Sequence, residues 1–138
     1  MRILILGGDL KELLTATRLA RKAGFEEIER FTSLRPAIKR IEQCLRGERP
    51  PPNAIVVDLD LGLDSGYDFL RNWRSTWKQA SIRIIVWSAL GEYHQELCEL
   101  FHVDAYVSKW DGKAALFKAL QQVGGVTPMA TVGNSGQI

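Results

Sequence analysis

The stretch Ala54-Ile55-Val56-Val57-Asp58-Leu59-Asp60 sets four apolar residues, three of them β-branched, directly before a pair of carboxylates. A short run that is apolar at every position, rather than at alternate ones, reads as a strand buried on both faces. Its flanks agree. Pro50, Pro51 and Pro52 stiffen the approach over residues 46–53, and Gly62 downstream marks a loop. Asp58 therefore stands at the carboxyl end of a central strand, where open parallel sheets build their sites.

Outward from this strand the same unit recurs on both sides. Arg2–Leu6 is a second apolar run, and residues 82–87 a third. Residues 105–107 form a short strand, and residues 28–32 a polar one suited to a sheet edge. Between them lie segments of helical period. Leu13, Ala16, Leu19, Ala20 and Ala23 form one face, closed by Gly24. Leu34, Ile38, Ile41 and Leu45 form the next, with Ser33 as its expected cap. Phe69, Leu70, Trp73 and Trp77 follow Ser65 and Asp68 at capping-box spacing. Tyr93, Leu97, Leu100 and Phe101 mark a fourth helix, and Leu116, Leu120 and Val123 a fifth, capped by Asp111. Five βα units in succession predict an α/β domain, a parallel sheet covered by helices on both faces with right-handed crossovers. Residues 1–124 make one domain, and the Gly-, Thr- and Ser-rich residues 125–138 are expected to be a disordered tail.

Composition excludes several function classes. The chain has 138 residues, 46% hydrophobic and 25% charged, with a net charge of +2. That charge predicts neither a nucleic-acid nor a membrane partner, and no basic run with interleaved aromatics occurs. Cys44 and Cys98 lack metal-binding or disulfide spacing, so a reduced, cytoplasmic setting is expected. The apolar start is too short for a signal or a membrane span. His94, Cys98 and His102 recur at four-residue spacing, but without a further ligand they read as a partly buried helical stripe.

The strand-end rule picks four places: Gly7-Gly8-Asp9, Asp58-Leu59-Asp60, Ser88-Ala89 and Ser108-Lys109. A carboxylate, a hydroxyl and an ammonium converging on one cleft are the groups needed to handle a phosphoryl group. Asp58 would be the nucleophile, Ser88 a donor and Lys109 a fixed positive charge.

These residues carry a resemblance. Ile55-Val56-Val57-Asp58 with Gly66 eight positions on, Ser88 at 30 positions and Lys109 a further 21 along resemble the receiver domains of two-component response regulators. Tyr106 matches the aromatic switch position. The resemblance spans roughly residues 2–123. It implies a flavodoxin-like (βα)5 fold with strand order 2-1-3-4-5 and a signalling protein rather than an enzyme. Asp58 would be the phosphoacceptor, served by a histidine kinase or phosphotransfer protein, with Ser88 and Tyr106 as the switch. It further implies Mg2+, held by Asp58 and the Asp60 backbone carbonyl with Asp9 as a further candidate ligand, and an output through protein contact, with homodimerisation through the fourth and fifth helices.

Three positions depart from the family pattern. Gly7 and Gly8 stand where receivers place two acidic residues, which should weaken the metal site. Asp9 follows one place late, and its spacing to Glu12 makes it first a helix cap. Trp110 replaces the usual proline after the lysine, so a trans bond and a displaced loop are expected. Gly62 replaces another proline. The glycine pair favours an alternative, a pseudo-receiver regulated by partner binding without phosphorylation. Asp58-Leu59-Asp60 also resembles the first motif of haloacid-dehalogenase-type phosphatases, with Asp60 as general acid, a remote third reading.

Overall fold

The structure, a computed structural model, describes residues 1–73, 75, 81–89 and 91–124. Five strands, β1 (Arg2–Leu6), β2 (Glu27–Phe31), β3 (Ala54–Val57), β6 (Arg83–Ser88) and β7 (Ala105–Ser108), form one parallel sheet in the order β2-β1-β3-β6-β7. Counting only these five, the order is the expected 2-1-3-4-5. The helices are α1 (Leu10–Lys22), α2 (Leu34–Leu45), α3 (Gly66–Asn72), α4 (Glu92–Glu99) and α5 (Lys113–Gly124). This is the flavodoxin-like, doubly wound architecture.

Strand residues alternate between two cores, because successive side chains point to opposite faces. Leu4, Leu6, Ile55, Val57, Ile84 and Val86 meet Ala37 and Ile41 of α2, Phe69 and Leu70 of α3 and Cys98 of α4. Ile3, Ile5, Val56, Ile85, Trp87 and Val107 meet Leu13, Ala16 and Ala20 of α1 and Leu116 and Leu120 of α5. Both faces of β3 are therefore fully used, which is why its sequence has no alternation. The stripe residue Cys98 is buried in the first core. Trp73 also packs there, as expected. Trp77, the tail 125–138 and the side chains of residues 92–94 and 97, which include Tyr93, His94 and Leu97, lie outside what is described.

β2 is an edge strand, and its charges have a specific partner. Arg40 of α2 is buried and grips the Glu29 carboxylate through Nε and Nη2, both at 2.8 Å, while Nη2 also reaches the Pro50 carbonyl at 2.8 Å. The guanidinium holds the Glu29 carboxyl below its usual range, burial opposing part of this. The proline loop is thereby tied to the sheet edge.

Local details differ from the sequence expectations. The loop after Asp58 contains a two-stranded hairpin, β4 (Asp60–Leu61) and β5 (Asp64–Ser65), turning at Gly62 with φ +79°. Ser33 makes no side-chain cap; Asp64 of the hairpin accepts from the Leu34 N–H instead, at 3.3 Å. Ser65 caps α3 through the Tyr67 N–H at 3.1 Å, whereas Asp68 pairs with Arg71. Asp111 lies in a 3-10 turn over Lys109–Asp111, and α5 begins only after Gly112.

Gly66 shows why the motif needs glycine there. A Cβ at this position would lie 2.2 Å from the Asp58 carbonyl oxygen and 2.8 Å from the Leu59 Cα. The N-terminus of α3 can thus close on the end of β3, its Gly66 N–H donating to Leu59 O at 3.0 Å. We expect Gly66→Ala to destabilise the domain by about 2 kcal/mol or more, the scale of overpacking in a tight interior. Urea denaturation checks this; an unchanged midpoint would show that the approach is not tight.

Candidate functional site

The carboxyl ends of β1, β3, β6 and β7 open into a cleft of about 350 Å³. Asp58, Ser88, Lys109, Asp60 and Asp9 all line it, together with Glu12 and Gly8. Sequence reasoning named the first five, and the sheet order brings them together. Tyr106 lies beyond the wall, in an adjoining cavity of about 380 Å³ with Gln95, Ser108 and Trp110.

Asp58 is 6% exposed and both of its carboxylate oxygens are engaged. Oδ1 accepts from the Asp60 N–H at 3.0 Å, an Asx-type turn that starts the hairpin. Oδ2 accepts from Lys109 Nζ at 2.6 Å. The same ammonium donates to Glu12 Oε1 at 2.7 Å and stands 5.0 Å from the centre of the Trp87 ring. One buried cation is thus shared by two anions and backed by an aromatic face.

Glu12 is the residue that sequence reasoning misplaced. Its spacing from Asp9 gives half of the capping box: Asp9 Oδ1 accepts from the Glu12 N–H at 3.1 Å. The Glu12 carboxylate pairs with Lys109 rather than completing the box. No local signal reveals this, because Lys109 is 97 residues away.

With Trp110 following it, Lys109 lines the cleft beside Asp58. The described peptide bonds are all trans, as expected before Trp110, and the loop is secured by other means. Ser108 Oγ accepts from the Trp110 N–H at 3.2 Å, and the indole Nε1 donates to Ala89 O at 2.9 Å. The tryptophan thus ties the lysine loop to the one after β6.

Ser88 is fully buried at the cleft wall and hydrogen-bonded to Tyr106. Burial pushes the Tyr106 phenol up, and the bond to Ser88 offsets part of that. Two residues expected to move together are already in contact.

Charge balance in the cleft follows from the sharing. Burial pushes the Asp58 carboxyl above its usual range; the Lys109 and Asp60 hydrogen bonds oppose this, and the Glu12 charge adds to it. Burial alone would lower the Lys109 pKa, but bonds to Asp58 and then Glu12 raise it above the ordinary 10.5. An ammonium facing two carboxylates keeps its proton, while each carboxylate has only part of a cation.

The residues present do not fit a divalent cation. Asp9 Oδ1 is turned to the α1 N-terminus, and the Asp60 side chain, as distinct from the backbone carbonyl that the resemblance would use, accepts from the Gly62 N–H at 3.0 Å. Asp58 and Glu12 converge on an ammonium. Among the described residues no three His, Cys, Asp or Glu side chains are grouped to hold a metal. The glycine pair leaves no spare room at Gly8 either: a Cβ there would sit 3.2 Å from the Leu61 backbone and 3.3 Å from Asp60 O.

Because the Lys109 pKa is raised on folding, its contribution is fully present below the ordinary lysine value of 10.5 and is lost as pH rises through the folded one. The urea midpoint should therefore fall as pH rises above the ordinary lysine value of 10.5, and fall less in Lys109→Met. Parallel profiles for the two proteins would contradict the shared-ammonium geometry.

No protein-family model matches the sequence, and no curated protein is significantly similar to it. Solved structures are similar in fold. The Mn2+-bound form of response regulator Rcp1 superposes with TM-score 0.73 and 19% identity, over 96% of this chain and 99% of that one. A two-component response regulator from Cytophaga hutchinsonii gives TM-score 0.74 and 22% identity, over 90% and 96%. The phosphorylated cyanobacterial phytochrome response regulator RcpA gives 0.72 and 17%, over 88% and 89%. With its strand order and the site at the strand ends, the chain has the fold of the response-regulator receiver domains.

Proposed function

We propose that this chain is a receiver module of a two-component phosphorelay, in which Asp58 accepts a phosphoryl group from a histidine kinase or phosphotransfer protein. The observation that carries the reading is the 2.6 Å contact between Lys109 Nζ and Asp58 Oδ2 in a cleft walled by Ser88. A carboxylate oxygen of Asp58 attacks phosphorus, the bond to the donor breaks, and the Lys109 ammonium stands beside the transferred oxygens. The Ser88 hydroxyl then turns from Tyr106 toward the phosphoryl group. Tyr106 follows and reshapes the face built from α4, β7 and α5, which a downstream protein or a second copy reads. The module works as a signalling protein in the cytoplasm rather than as an enzyme, with neither nucleic acid nor membrane as its partner. Mg2+, which the resemblance implies, has no convergent donor set here and no part in this scheme.

The engaged carboxylates favour one second reading. With Asp9, Glu12, Asp58 and Asp60 each bonded within the protein, the same fold serves as a pseudo-receiver whose cleft is closed to phosphoryl transfer.

Acetyl phosphate with magnesium, followed by intact-mass measurement, separates the two. The expected outcome is one added phosphoryl group in the native chain and none in Asp58→Asn. A native chain that stays unlabelled where an ordinary receiver is labelled leaves the pseudo-receiver reading standing.

A further inference from the structure

We infer that Glu12 is a positioning residue for Lys109, and that the ammonium held between Glu12 and Asp58 replaces the divalent cation as the positive charge serving Asp58. The inference rests on the phosphoacceptor reading of Asp58.

The ammonium already occupies the point where two carboxylates from different elements converge, at 2.6 Å from Asp58 and 2.7 Å from Glu12. When Asp58 becomes an acyl phosphate its negative charge moves out onto the phosphoryl oxygens, and the ammonium has to be held where it can meet them. Here Glu12 and the Trp87 ring, 5.0 Å from Nζ, hold the ammonium from the other side. The lysine side chain is only 13% exposed, so it keeps its reach into the cleft without solvent support. Gly8 meanwhile lets the backbone of Leu61 close over the place where a side-chain carboxylate would stand. The hairpin backbone thus lies close beside Gly8, while an anion in the first turn of α1 faces an internal cation. Transfer then balances without a metal: Asp58 Oδ bonds to phosphorus, the phosphorus–oxygen bond of acetyl phosphate breaks, and acetate leaves. The phosphoryl charge is met by an ammonium that needs no proton transfer.

The test labels the full chain with acetyl phosphate in magnesium and in excess EDTA, alongside a calorimetric manganese titration. Native protein should be labelled at rates within about twofold in the two solutions and show no saturable manganese binding. Glu12→Gln should slow labelling about tenfold, the loss of one charge-assisted contact, in protein that remains folded at the labelling temperature. Glu12→Asp, which keeps the charge, should recover part of the rate, which a merely structural role for Glu12 would not produce. Labelling that needs magnesium, saturable manganese binding, or native rates in Glu12→Gln would overturn the inference while leaving Asp58 as acceptor. No labelling in either solution would remove the acceptor reading and this inference with it.

Discussion

The Lys109 ammonium holds together parts of the chain that are remote in sequence. It sits after β7, bonds to Asp58 after β3 and reaches Glu12 on α1. A buried cation with a single carboxylate is close to neutral in its effect on stability, since desolvation cancels much of the attraction. A second carboxylate changes the balance for the lysine, which keeps its proton. It changes the balance for Asp58 in the other direction, because Asp58 must share the cation and still bears its own burial. The result is a carboxylate oxygen with a charge partner close by that neutralises it only in part.

Around this group the backbone leaves little slack. Gly66 lets the start of α3 press against the Asp58 carbonyl, and Gly8 lets the hairpin press against the end of β1. The hairpin in turn caps α2 through Asp64 and is started by the Asp58 carboxylate itself. A change at Asp58 is therefore mechanically linked to the hairpin and, through it, to α2. On the opposite side the Trp110 indole joins the lysine loop to Ala89, next to Ser88. The two residues that depart most from the receiver pattern, Gly8 and Trp110, both bring backbone segments together beside the cleft.

Much of the fold was legible because its central strands carry unbroken apolar runs, Ile3–Leu6, Ala54–Val57 and Ile84–Trp87. β1, β3 and β6 are buried on both faces, a requirement that no helix or edge strand imposes. β2 was legible as an edge because its charges break the apolar run, although Arg40, which pairs with one of them, looks like any other helical arginine. The hairpin was not legible: two-residue strands have no period, and only Gly62 marked the turn. Ser33 failed as a cap because Asp64, 31 positions on, supplied the acceptor. At the site, Asp58, Ser88 and Lys109 were legible from where strands end. Glu12 was not, because its local spacing matches a capping box and its true partner is fixed only by tertiary structure.

The central claim is that an internal ammonium, and not a metal ion, serves Asp58. Crystallographic anomalous scattering from crystals grown in manganese tests it most directly. The account predicts Lys109 Nζ between Asp58 and Glu12 and no manganese peak in the cleft. A manganese ion bound to Asp58 with the lysine displaced would contradict it.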